Sequence, residues 1–304
     1  MNILIFGAAG FLGRCILKKL ISYTHDGSVS LITAVTHKHP LPQELRSEAI
    51  REIRFDDFKK STGEPAYDAA ICLTGQTMGK EFKNFKEFKE SNLDTPKYII
   101  NYCHSHSIKH LIYASSINVR LSNAKYYAEY KREIEDYIVK SGVPHTIFRP
   151  ALIFGNTDTG LSRIYNFIEK YPFVPVFGDG KKLEQPIHVE EAAEFFCKAA
   201  LSPPENKIYD IGGLKAYTYD ELMRTMARTL GKKTAVIHLS ACPIYLLLRF
   251  LESLKIVLPL SAEQILHIDT DLDIDNEPAL NKYNVSLRPF EEWIRTYKKT
   301  RKIV

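Results

Sequence analysis

The chain has 304 residues, 45% of them hydrophobic and 25% charged, a balance that supports a large buried core and excludes a disordered or low-complexity chain. The formal charge of +5 is spread along the sequence, which gives no support to a nucleic-acid partner but suits an anionic cofactor. Cys15, Cys72, Cys103, Cys197 and Cys242 form no CxxC pair, which argues against a disulfide framework and for a reducing, cytoplasmic setting.

Asn2 to Phe6 is a short apolar run, and Phe11, Leu12, Ile16, Leu17 and Leu20 then recur at helical spacing. Met1 to Gly13 lacks a basic leader, so it is read as mature structure and not as a signal peptide. Between the strand and the helix, Gly7, Gly10 and Gly13 stand as GxxGxxG. Such a turn lets backbone approach a pyrophosphate and aims the N–H groups of a helix start at it. Gly7, Gly10, Phe11, Leu12 and Gly13 are therefore expected at a dinucleotide. A second strand, Val29 to Val35, leads into Thr36-His37-Lys38, where no carboxylate is present to meet a ribose 2′-hydroxyl. Two basic groups there favour the 2′-phosphate of NADP, with NAD as the alternative.

Further strands are predicted at Glu52 to Phe55, Ala69 to Thr74, His110 to Ala114, Thr146 to Arg149 and Lys207 to Ile211, with helical patterns between several of them, including Val189 to Ala200. This alternation predicts an α/β fold, a doubly wound parallel Rossmann sheet. Phe82, Phe85 and Phe88 read as a core-facing helical stripe, and Cys103, His104, His106 and His110 sit at a helix end without a second ligand cluster, so no metal is expected. Glycines and prolines after Pro150 mark a looped excursion at residues 156–187.

Residues 1–213 are assigned to the Rossmann domain and 214–304 to a small, mostly helical lobe on the substrate side. In that lobe Tyr219 to Leu230 and Pro289 to Lys299 are helical by period, the latter with Phe290, Trp293, Ile294 and Tyr297 on one side. Ile244, Leu247, Leu248, Leu251, Leu254 and Leu258 read as core packing, with a homodimer face, a partner surface or a lid over an apolar substrate as the alternatives. Arg249, Glu252 and Lys255 interrupt that stretch, so no membrane span is expected.

Tyr127 and Lys131 are four residues apart on a predicted helix and share a face, and a cation beside a phenol lowers its pKa towards the range of a useful acid or base. Ser116 follows a strand at the carboxyl edge, where open α/β sheets bind ligands. In order along the chain, the glycine triplet, Leu73-Thr74-Gly75, Asn92, Ser115-Ser116, Tyr127 with Lys131, and Arg149-Pro150 resemble the extended and atypical short-chain dehydrogenases/reductases, over most of the chain. Gln185-Pro186, Leu260 to Ile265 and Asp271 to Asn276 are similar to the branch holding the nucleotide-binding accessory subunit of respiratory complex I and its bacterial relatives.

The resemblance implies Ser116, Tyr127 and Lys131 as catalytic residues, with Lys131 also on the nicotinamide ribose, Asp56 near the adenine, and Leu73, Thr74, Gly75, Asn92 and Pro150 at the cofactor. The function expected is NAD(P)-dependent interconversion of a hydroxyl and a carbonyl on a small molecule. An epimerase or dehydratase with tightly held NAD and a non-catalytic NADP-binding factor are the alternatives. The interval from Ser116 to Tyr127 is shorter than nucleotide-sugar enzymes of the family show, which counts against the first alternative.

Overall fold

Ile3 and Ile5 face one side of the first strand and Leu4 and Phe6 the other, and all four are buried. A strand buried on both faces belongs inside a parallel sheet with helices on either side, which is why the strands read as continuous apolar runs. The computed structural model describes residues 1–77, 84–121, 126–155, 160–253 and 271–301. In chain order its first half comprises β1 (Asn2–Phe6), α1 (Phe11–His25), β2 (Leu31–Thr36), β3 (Ile50–Arg54), α2 (Phe55–Phe58), β4 (Ala69–Cys72), α3 (Phe85–Lys89), α4 (Thr95–Ser105), β5 (His110–Ala114), α5 (Tyr127–Ser141) and β6 (His145–Pro150). There follow β7 (Ile153–Phe154), α6 (Leu161–Lys170), β8 (Phe173–Phe177), β9 (Leu183–Glu184), β10 (Ile187–His188), α7 (Val189–Ala200), β11 (Lys207–Ile211), β12 (Tyr217–Thr218), α8 (Tyr219–Leu230), β13 (Ala235–Leu239) and α9 (Ala241–Ser253). Two more helices span Glu277–Tyr283 and Phe290–Arg301.

The main sheet has seven parallel strands in the order β11-β6-β5-β4-β1-β2-β3, so the chain reverses direction across the sheet between β1 and β4. Helices α1 and α7 cover one face, and α4 and α5 cover the other. The third strand begins and ends earlier than the sequence suggests, because Phe55 turns inward as the first residue of α2 and stacks edge-on with Phe6.

A third core joins the excursion to the C-terminal segment: Leu161, Tyr165 and Ile168 of α6 and Val174 and Val176 of β8 pack with Leu222 and Met226 of α8 and with Phe290, Trp293 and Ile294. Helix α6 and the parallel pair β8–β13 are not anticipated by the sequence analysis. Just past the end of β11, two motifs about 90 residues apart meet: the Gln185 amide accepts from Ile274 N–H (2.7 Å) and donates to Gly213 C=O (2.8 Å), while Asn276 accepts from Gly212 N–H (2.7 Å). The expected core stripe of α9 is a correction. Leu248 is buried, but Leu246, Leu247 and Phe250 are 60%, 56% and 61% exposed. Leu254, Leu258, the stretch from Leu260 to Ile265, and Phe82 lie outside the described residues. Among the described residues no helix is long and apolar enough to cross a membrane.

The glycine turn depends on missing Cβ atoms. Gly7 sits at φ +82°, a left-handed conformation that side chains disfavour, and a Cβ on Gly13 would stand 2.4 Å from Gly7 O and 2.7 Å from Ala8 O. Gly13→Ala is therefore expected to push α1 off β1 and to cost on the order of 1–3 kcal/mol. Denaturant unfolding compared with wild type checks this, and an unchanged midpoint would mean that the contact relaxes freely.

Candidate functional site

The carboxyl ends of β1 and β4 flank the point where strand order reverses, the position at which open α/β sheets hold ligands. Gly7 closes β1 so near to β4 that its Cβ would lie 3.2 Å from Leu73 backbone atoms. Gly10 precedes α1 in extended backbone, no side chain caps the helix, and its first turn carries no acidic residue. The unpartnered N–H groups of that turn and the positive end of the helix suit a pyrophosphate. Phe11 lies beside this turn, where a Cβ on Gly155 would come 2.8 Å from its ring, and Leu12 packs on the core below. The residues present therefore fit a dinucleotide.

At the end of β2 the structure corrects one expectation. A carboxylate is present after all, supplied by the neighbouring strand: Glu52 of β3 accepts from the Thr36 hydroxyl (3.2 Å) and from Leu41 N–H (2.9 Å). Lys38 reaches across to Glu87 on α3 (2.6 Å), while His37 is exposed near the Phe55 ring. Asp56 is exposed and paired with Lys59 (3.0 Å), whose ammonium holds its pKa below the usual carboxylate value.

The proposed chemical residues come together on the other side of the switch point. Ser116 lies two residues beyond β5, accepts from Asn118 N–H (3.3 Å) and stands near the half-buried Tyr127 phenol at the start of α5. Burial pushes the phenol pKa up and the nearby Ser116 hydroxyl opposes it. The expected neighbouring cation is turned aside: Lys131 Nζ donates to Ala114 C=O (2.7 Å) and more weakly to Thr74 C=O (3.5 Å), above the Tyr113 ring. Its burial lowers its pKa from 10.5 to about 8, against the pull of Cys72 and Glu135. Tyr126 and Tyr130, the neighbouring phenols, pack on Phe85 and Phe88 of α3.

Asn92 sits in a π-helical turn, Glu90–Asp94, between α3 and α4, a rare local winding often found at functional sites. Its amide donates to Phe88 C=O (2.9 Å), but its buried Oδ1 has no partner among the described residues. A Cβ on Gly75 would fall 2.9 Å from that oxygen and 3.3 Å from Lys131 Nζ, so the glycine at φ +142° keeps both polar atoms open at one point. Pro150 is buried at the end of β6.

Glu135 was missed by the sequence analysis, although it lies one turn beyond Lys131 on the same face of α5. It is buried, accepts from Ser115 Oγ, and forms a two-point pair with Arg149 at the end of β6 (2.9 and 2.5 Å). Arg149 also approaches Asp210 of β11 (3.9 Å), which pairs with Arg120.

The seven-stranded parallel sheet with its glycine turn defines a Rossmann-type protein with the architecture of the short-chain dehydrogenases/reductases. Residues 3–212 match the NAD dependent epimerase/dehydratase family, and the chain belongs to it. The chain is 26% identical over 230 residues to the mitochondrial NADH dehydrogenase [ubiquinone] 1 alpha subcomplex subunit 9 of Arabidopsis thaliana, covering 73% of this chain but only 56% of that protein. It is 24% identical over 241 residues to the ceramide reductase of Caulobacter vibrioides, covering 77% and 72%. A dTDP-glucose 4,6-dehydratase from Bacillus anthracis in complex with NAD shares the fold at a TM-score of 0.75 and 13% identity, over 99% of this chain and 98% of that one.

The Lys131 ammonium is disfavoured in the folded chain, so from about pH 8 to 10.5 the unfolded chain holds a proton that the folded one has lost. Stability from this group therefore rises with pH through that window. Denaturant titrations of wild type and Lys131→Met at about pH 7.5 and about pH 9.5 are expected to show the difference moving in favour of wild type at the higher pH. A pH-independent difference would mean an ordinary lysine.

Proposed function

We propose that the chain binds NADP(H) along the β1–β4 switch point and interconverts a hydroxyl and a carbonyl on a small molecule. The observation that carries this reading is the pair of polar atoms, Lys131 Nζ and the unpartnered buried Asn92 Oδ1, that Gly75 leaves open at the sheet edge, with the Tyr127 phenol near Ser116 one turn earlier on α5. When bound, the nicotinamide supplies or accepts the hydride. Ser116 holds the reacting oxygen by a hydrogen bond, and the Tyr127 hydroxyl gives it a proton or takes one away. Lys131, swung from its backbone carbonyls, holds a ribose hydroxyl and favours the phenolate. The similarity to a complex I subunit supports a second reading, a non-catalytic dinucleotide-binding factor.

Two measurements test this. Screening of carbonyl compounds for NADPH oxidation, followed by single-turnover kinetics, is expected to show Tyr127→Phe losing roughly 10² to 10⁴ in rate with cofactor affinity retained. Equal turnover in the variant would sink the mechanism, and tight NADP binding without any substrate would favour the second reading. For the cofactor, NADPH is expected to bind about tenfold more tightly than NADH. His37 and Lys38 attract the 2′-phosphate and Glu52 opposes it, so Lys38→Ala narrows the gap and Glu52→Gln widens it. Calorimetric titration that finds wild type preferring NADH would transfer control of the ribose to Glu52.

A further inference from the structure

A cleft of about 330 Å³ opens between α6, β8 and α8, away from the glycine turn in sequence and walled by the third core. Ile164 and Phe167 line it from α6, Val174 and Val176 from β8, and Tyr219 and Met223 from α8. Tyr219 adds its ring to the apolar lining, and its hydroxyl lies near the buried Glu184 carboxylate, which adds to burial in raising its pKa. Burial pushes the Glu184 carboxyl up to about 7, against the nearby backbone of Leu152 and Gln185. One charged side chain reaches the cleft: Arg163, exposed, with no ion pair among the described residues. The apolar surface also continues outward, because Pro175 and Phe177 at the cleft pair in register with Ile237 and Leu239, which are 44% and 37% exposed.

Apolar walls reward an apolar ligand, and an unpaired guanidinium at the rim rewards an anion. We propose that this cleft binds a single-chain amphiphile, its hydrocarbon tail between α6 and α8 and its anionic head, a carboxylate or a phosphate, on Arg163. With about 30 Å³ for each methylene, close to the share of a water in the liquid, the cleft holds roughly ten carbons. A single straight chain therefore fills it, whereas a nucleotide would set its polar groups against Val174, Val176 and Phe167. The site does not depend on the catalytic reading, and a protein inactive as an oxidoreductase would still carry it.

The probes are decanoate, decyl phosphate, neutral decanol and short hexanoate, added to the full-length, delipidated chain and followed by calorimetry and native mass spectrometry. Decanoate or decyl phosphate is expected to bind one per chain, at least about tenfold tighter than decanol, with hexanoate weaker still. The tighter of the two anions identifies the head group. Arg163→Gln is expected to reduce the anions to the affinity of decanol, and Ile164→Trp, which fills the half-buried wall, to abolish binding. If Ile164→Trp fails to fold, Ile164→Glu reads the same loss by setting a like charge beside the anion. Absence of one-to-one binding, equal affinity for decanol and decanoate, or unchanged binding in folded Arg163 and Ile164 variants would overturn the proposal.

Discussion

The ion pair between Glu135 and Arg149 holds the reactive edge of the sheet together. A carboxylate and a guanidinium removed from water repay their desolvation only when geometry is good and the remaining hydrogen-bonding groups are satisfied. Here they are: Glu135 takes two donors from Arg149 and a third from Ser115, and Arg149 turns its remaining face towards Asp210. These contacts join α5 to the ends of β5, β6 and β11. Because α5 is a continuous helix, anchoring Glu135 also sets Lys131 one turn earlier and Tyr127 two turns earlier.

That anchoring explains why lysine and tyrosine differ in their surroundings despite sharing a face. Lys131 is drawn down to Ala114 C=O and over the Tyr113 ring, where burial lowers its pKa. Tyr127, at the first position of α5, meets Ser116 across the sheet edge. The opposite side of the switch point is built from backbone alone, since Gly7 and Gly13 let strand and helix approach more closely than any side chain allows. One half of the site is thus charged and buried, and the other is an exposed row of N–H groups.

The C-terminal region is held to this frame by polar stitching and by one aromatic contact. Gln185 and Asn276 bind residues 212–213 and 274, and Trp293 stacks on His188 at 3.4 Å while donating to Glu191 (3.1 Å). Burial and the nearby Arg288 drive His188 down to about 3, so it stays neutral and keeps the stack intact near neutrality. The excursion and the C-terminal helices share a single apolar core, so the cleft on α6 and α8 has walls from segments more than fifty residues apart.

Local pattern alone placed most strands of the main sheet, the glycine turn and the helical face shared by Tyr127 and Lys131, because a short apolar run, a missing Cβ and a spacing of four are properties of a few adjacent residues. Helices Val189–Ala200 and Tyr219–Leu230 were legible for the same reason. Helix α6 was not, since glycines and prolines on both sides of it disguised a helical period as a loop. Tertiary structure alone decided that Glu52 stands beside Thr36, that Lys38 is paired with Glu87, that Lys131 faces backbone carbonyls instead of the phenol, and that Leu246 and Leu247 of α9 are exposed. Each of these depends on which distant segment arrives as a neighbour, and the energy of that choice lies in packing and charge pairing across the fold, which no local period encodes.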